Sequence, residues 1–192
     1  MIGLDVSASS VKLVELGQDK AGKLILECSA IVPLERGWIN DGNIEKFEEV
    51  ADALRRLIKK SGTKTKNVAM ALPPSAVITK KIVLPGGMTD HDLEMQVESE
   101  ANQYIPFPLD EVSLDFCILG PSASATGDVD VLIAASRREK VQDLQGLAEA
   151  AGLKPVIVDV KSYASRLAAS RLIASMPNHS EDRIVALFEV GS

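Results

Sequence analysis

The first sixteen residues hold two apolar runs separated by small side chains. Ile2-Gly3-Leu4-Asp5-Val6 leads into Ser7-Ala8-Ser9-Ser10, and Val11 to Leu16 then alternates apolar and polar residues. A period of two places one face in a core and the other toward solvent, so residues 2–16 predict a β-hairpin. Another strand is predicted over 22–34, with Pro33 near its end. At residue 43 the period lengthens. Ile44, Phe47, Val50, Ala51, Leu54, Leu57 and Ile58 recur at spacings of three and four, the mark of one helix face. A helix over 43–60 follows, with Asn43 as N-cap, acids in its first turns, lysines in its last and Gly62 beyond. Residues 67–73 return to the strand pattern and are closed by Pro73-Pro74.

The second half predicts a strand over 77–84, a helix over 89–105, strands over 112–119 and 129–136, a helix over 139–151 and a strand over 154–160. That order reads as a compact α+β module of its own. A helix over 161–175 stops before Pro177, and 183–190 is a nearly continuous apolar strand that runs into Gly191-Ser192. Such a strand ordinarily leads into a turn and further structure, so the chain is expected to be part of a longer protein.

Composition narrows the function classes. Of 192 residues, 46% are hydrophobic and 25% charged, the balance of a globular domain. The net charge of -6 argues against a general affinity for nucleic acid. No apolar run approaches the ~18 residues of a membrane span, and no basic-then-apolar signal opens the chain, so direct membrane insertion is not expected. Arg55, Arg56, Lys59, Lys60, Lys64 and Lys66 form a basic cluster, read as the solvated face and positive end of a helix. Contact with anionic lipid or an acidic partner is the functional alternative. Cys28 and Cys117 lie far apart in apolar runs and are expected to be buried, reduced thiols. With His91 and His179 they make no metal-ligand spacing, so no structural zinc is expected.

Asp5-Val6-Ser7-Ala8-Ser9-Ser10-Val11-Lys12 carries the most chemistry. An apolar strand delivers Asp5 to the mouth of a turn whose small residues let backbone N–H groups approach an anion. Ser9 and Ser10 add hydroxyl donors, and Lys12 can reach terminal phosphates as a point charge. Asp5 suits Mg²⁺ held through water, because that ion keeps much of its hydration shell. Small-residue turns also occur with no ligand. Tyr104-Ile105-Pro106-Phe107-Pro108-Leu109 reads first as a rigid connector that plugs the core, and otherwise as a groove wall for an extended peptide.

The Asp5–Lys12 hairpin resembles the first phosphate loop of the actin, sugar-kinase and heat-shock chaperone superfamily. Phe188-Glu189-Val190-Gly191-Ser192 resembles the start of that superfamily's second phosphate loop. Ser75 to Lys80, Glu100 to Leu109 and Val129 to Arg137 look specifically like the PilM family of type IV pilus assembly, with Gln103-Tyr104-Ile105-Pro106-Phe107-Pro108 the most specific run. The resemblance spans the chain.

It implies an α/β, actin-like (ribonuclease H-like) core with an inserted α+β subdomain. Residues 1–76 and 161–183 would form subdomain 1A, 77–160 the insertion 1C, and 184–192 the first strand of 2A, with most of the second half missing. It implies ATP and Mg²⁺ as cofactors of the full-length protein, with weak or undetectable nucleotide binding by this chain alone. Nucleotide contacts would come from Asp5, Ser7, Ala8, Ser9, Ser10, Lys12, Gly191 and Ser192, and the metal, through water, would face Asp5 and Glu189. The implied partner is the cytoplasmic N-terminal tail of PilN, near Tyr104, Ile105, Pro106 and Phe107, with PilO, PilP and the pilus motor reached indirectly. The implied location is cytoplasmic, peripheral at the inner membrane.

Three positions depart from the superfamily pattern. Ser7 replaces a glycine, which is comfortable only if its φ is negative. Glu189 replaces an aspartate. Lys161 stands where hydrolysing relatives carry Glu or Gln, although a register shift of two would put Asp159 there. A lysine there cannot accept a proton from water, which implies slow or absent hydrolysis. The rivals are a sugar-type kinase, an FtsA-like division protein and the cytoplasmic module of type II secretion.

Overall fold

A computed structural model describes residues 1–176 and 184–188. The chain forms two compact units. The first holds Met1–Pro73 and the chain from Asp143 onward, and the second is Pro74–Gln142.

In the first unit, β1 (Ile2–Val6), β2 (Ser10–Gln18) and β3 (Leu24–Pro33) run antiparallel through tight turns. β6 (Asn67–Leu72) lies parallel to β1, and β10 (Lys154–Val160) parallel to β6, giving the order β10-β6-β1-β2-β3. Parallel neighbours need long crossovers. α1 (Phe47–Ser61) serves the β1–β6 pair and lies against β2 and β3. Alternation buries Ile2, Leu4, Val11, Leu13, Val68, Met70 and Leu72 of the sheet, while α1 buries Val50, Ala51, Ala53, Leu54 and Leu57. Leu54 and Leu57 are wholly buried, and each such side chain contributes about 1.5–3 kcal/mol over the exposed state.

The helix expected from residue 43 starts at Phe47 instead. Asp41 and Gly42 both adopt positive φ, at 48° and 78°, and close a hairpin of β4 (Ile39–Asn40) and β5 (Asn43–Ile44). Asp-Gly is a strong two-residue hairpin signal, and here it overrides the apolar period and takes Asn43 away from the cap. Half-buried Trp38 ties this hairpin down. Its carbonyl accepts from the Glu45 and Lys46 N–H groups at 2.9 and 3.2 Å, and its own N–H donates to Glu35 at 3.3 Å. α1 ends at Gly62, whose φ of 72° lets its N–H bond the Ile58 carbonyl at 3.2 Å. Part of the basic cluster is structural. Arg55 donates twice to the Ala150 carbonyl, at 2.9 and 3.1 Å, and Lys60 donates to the Ile31 carbonyl at 3.0 Å.

In the second unit, β7 (Val77–Pro85), β9 (Asp128–Arg137) and β8 (Val112–Pro121) form an antiparallel sheet in the order β7-β9-β8. α2 (Asp90–Tyr104) opens on Thr89, whose hydroxyl accepts from the Asp92 N–H at 3.2 Å. Leu93, Val97 and Ala101 of α2 join Ile82, Leu84, Val112, Val131, Ile133 and Ala135 in one core.

Three expectations are corrected. The inserted unit ends at Gln142, inside α3 (Arg138–Ala150), and not at 160, because β10 is the hydrogen-bonded neighbour of β6. Cys117 is exposed and Cys28 only half-buried, since β8 and β3 are edge strands with one open flank. Residues 184–188 carry no strand, and no partner ladder faces them among the described residues. The remainder of that predicted strand, with residues 177–183 of the expected subdomain, lies outside the described residues.

Candidate functional site

The β1–β2 hairpin brings Asp5 opposite Lys12, and the Lys12 Nζ donates to Asp5 Oδ2 at 2.9 Å. The second cation comes from the far side of the sheet. β10, β6 and β1 run parallel, so the chain leaving β10 emerges at the same end as Asp5. Lys161 is the first residue of α4 (Lys161–Ser175), and its Nζ lies 3.4 Å from Asp5 Oδ1. The three side chains are 47%, 34% and 29% exposed for Lys12, Asp5 and Lys161. Ion pairs this open to water are screened and worth about 0–1 kcal/mol each, so their value lies in the placement of charge.

The turn between the strands is internally bonded. The Ser7 N–H and hydroxyl donate to the Ser10 carbonyl at 3.0 and 2.8 Å, and the Ser7 and Ser10 hydroxyls lie 3.4 Å apart. The Ser9 carbonyl accepts from the Leu34 N–H at 2.9 Å, which anchors the turn to the end of β3. Ser7 and buried Ser10 therefore shape the turn, while Ser9 is exposed and the Ala8 and Ser9 N–H groups take no part in these bonds. Ser7 has negative φ, so the missing glycine introduces no strain. Lys161 faces the loop acid, while the Asp159 carboxylate accepts from the Val160 N–H at 2.6 Å. Glu189, Gly191 and Ser192 lie outside the described residues.

Among the described residues no three acidic, His or Cys side chains gather as a metal site. One carboxylate beside this small-residue turn would suit Mg²⁺ only where phosphate oxygens supply the other ligands, since that ion needs few from the protein. The donor set here thus fits a nucleotide-borne metal and not a metal held by protein alone.

In the second unit the aromatic-proline run is built into the core. Ile105 is buried, Phe107 packs on the same cluster, and the Arg137 guanidinium stands 4.2 Å above the Phe107 ring. Tyr104 is exposed, with the Lys80 Nζ 4.6 Å from its ring centroid.

A polar network went unnoticed in the sequence. Glu15 accepts from the Thr63 hydroxyl at 2.6 Å, from the Thr65 hydroxyl and from the Cys28 thiol at 3.6 Å. The Thr63 bond, then the Thr65 bond, holds the Glu15 carboxyl below its ordinary value. Burial first, and then the bond to Glu15, pushes the Cys28 thiol up and makes it a poor nucleophile. Glu15 occupies an ordinary polar position of an alternating strand, so no local signal marks it.

The described residues include no helix long and apolar enough to cross a membrane. A chain of the PilM-PilN type IV pilus biogenesis complex superposes with a TM-score of 0.80 at 33% identity, over 92% of this chain and 52% of that one. The cytoplasmic domain of EpsL, an inner-membrane component of the Vibrio cholerae type II secretion system, superposes with a TM-score of 0.50 at 14% identity, over 83% of this chain and 56% of that one. That second likeness concerns the fold alone. This chain therefore spans about half the length of the solved chains it matches. The family profile described as type IV pilus assembly protein PilM matches residues 3–192. With its α/β, actin-like fold, the chain belongs to the PilM family of type IV pilus assembly proteins.

Proposed function

We propose that this chain is the front half of a nucleotide-responsive docking platform that binds the cytoplasmic N-terminal tail of PilN at the inner membrane. The observation that carries this reading is the 33% identical match to a chain of a PilM-PilN complex. PilO, PilP and the pilus motor would be reached through PilN and not by direct contact. The exposed Tyr104 and Pro106, beside half-buried Phe107, would supply the rigid apolar surface that an extended peptide needs, with buried Ile105 anchoring the segment from beneath.

The phosphate end of ATP belongs at the β1–β2 turn. Lys12 and Lys161 bring positive charge, Ser9 offers an exposed hydroxyl, and Ser7 and Ser10 hold the turn in shape. Asp5 would face a magnesium ion through water, and that ion would neutralise phosphate charge. Neither Lys12 nor Lys161 can accept a proton from water, so the described part of the site favours holding nucleotide over hydrolysing it. A bound nucleotide alters docking only through unequal affinity for two states of the protein.

Calorimetric titration of a synthetic PilN N-terminal peptide into the full-length protein, with and without Mg-ATP, tests the proposal. Saturable micromolar binding that changes with nucleotide is the expected result. No binding in either condition overturns the docking role and favours a sugar-type kinase.

A further inference from the structure

Residues 53–89 contain eight basic side chains and no acidic one, in a chain whose net charge is -6. Six of the eight fall between Arg55 and Lys66, at the C-terminal end of α1 and in the segment that leads into β6. Arg55 and Lys60 are occupied by backbone carbonyls. Arg56, Lys59, Lys64 and Lys66 are exposed. Exposed Lys154 of β10 joins them, because its N–H donates to the Lys66 carbonyl at 2.8 Å. β1, β6 and β10 begin at this end of the sheet, and β1 finishes at the Asp5 turn. The five cations therefore occupy the pole of the first unit opposite that turn.

The helix dipole accounts for Arg56 and Lys59, in or near the last turn of α1, but not for Lys64, Lys66 and Lys154 beyond it. Their placement has a separate cause. Thr63 and Thr65 turn their hydroxyls to the Glu15 carboxylate, so the alternate residues Lys64 and Lys66 are directed outward. The same bonds engage Glu15, an acid that could otherwise pair with a lysine.

The array suits an extended anionic surface. Four of the five residues are lysines, point charges on flexible stems that can follow a fluid layer of headgroups, whereas arginine favours fixed bidentate partners. No aromatic residue occurs between Phe47 and Tyr104, so this stretch offers no platform for stacked bases.

We propose that Arg56, Lys59, Lys64, Lys66 and Lys154 form a foot that rests on the anionic headgroups of a lipid bilayer. Each basic residue held near such a surface strengthens partition about fivefold, so the five together make a weak, reversible anchor. The foot adds a direct membrane contact to docking through PilN and does not depend on the nucleotide site.

The test is co-sedimentation of the full-length protein, without PilN, on vesicles of phosphatidylcholine alone or with about one-third phosphatidylglycerol, at about 0.1 M salt. Wild type should pellet with the anionic vesicles only, and about 0.5 M salt should release it, because the screening length falls by about half. Lys64→Gln combined with Lys66→Gln should weaken partition about 25-fold, about fivefold per charge. Lys64→Arg combined with Lys66→Arg should keep it, which separates lost charge from a disturbed fold. Equal binding to neutral vesicles, or a glutamine variant equal to wild type, overturns the foot. No binding to anionic vesicles also overturns it, and turns the pole toward an acidic protein. A protein that fails on vesicles yet still titrates with the PilN peptide loses the foot alone and keeps the docking role.

Discussion

Glu15 stabilises the junction of β2, β3 and the segment after α1 because it is ionised. Its hydroxyl donors, Thr63 first and Thr65 second, favour the charged form, so the folded carboxyl titrates below its unfolded value. The resulting stability is fully present above the unfolded value of about 4.3 and is lost as pH falls through the lower folded value. Glu15→Gln should therefore melt below wild type at pH 7, and the difference should close as pH drops under about 4. A gap of constant size across that range would mean that the ionised carboxylate is not what the threonines hold. This residue also shows where sequence reading stops. Asp5 and Lys12 could be paired on paper because a short turn fixes their register. Glu15 meets Thr63 and Thr65 only through a fold that brings positions 48 and 50 residues apart together.

The elements themselves were largely legible, because most have strong periods and clear punctuation. The apolar stripe of α1, the alternation of β2 and the Thr89 start of α2 each point to the structure that forms. The misread start of α1 has a local cause, since Asp41-Gly42 forces a hairpin where the stripe alone suggests another helical turn. The opposite end of α1 is a sharper test. Gly62 stands in the left-handed region with open space around its Cα, so only backbone strain opposes a side chain there. Gly62→Ala should cost about 1 kcal/mol in urea unfolding, with an unchanged denaturant slope. An unchanged midpoint would show that the turn relaxes out of that region freely.

Whole-molecule organisation was the least legible level. Apart from the β4–β5 hairpin the predicted order of strands and helices holds through α4, yet β10 completes the first unit's sheet and not the insertion's. Parallel pairing of β10 with β6 joins residues about ninety positions apart, and no turn signal encodes such a partner. The two cores that result should respond separately. Val131 is wholly buried in the second unit, and Val131→Ala should lower amide protection across β7, β8, β9 and α2 while protection in β1 and β2 stays as it was. Equal loss throughout would mean that the units open as one.

Trp38 is the chain's single tryptophan, and it sits on the β4–β5 hairpin of the first unit. Emission excited at the red edge of the indole band therefore views only one of the two cores. A fluorescence melt follows the half that carries the Asp5 turn and is blind to the half that carries Tyr104 and Phe107. Circular dichroism averages over both, so any offset between the two optical midpoints measures how differently the halves are built, with no label added.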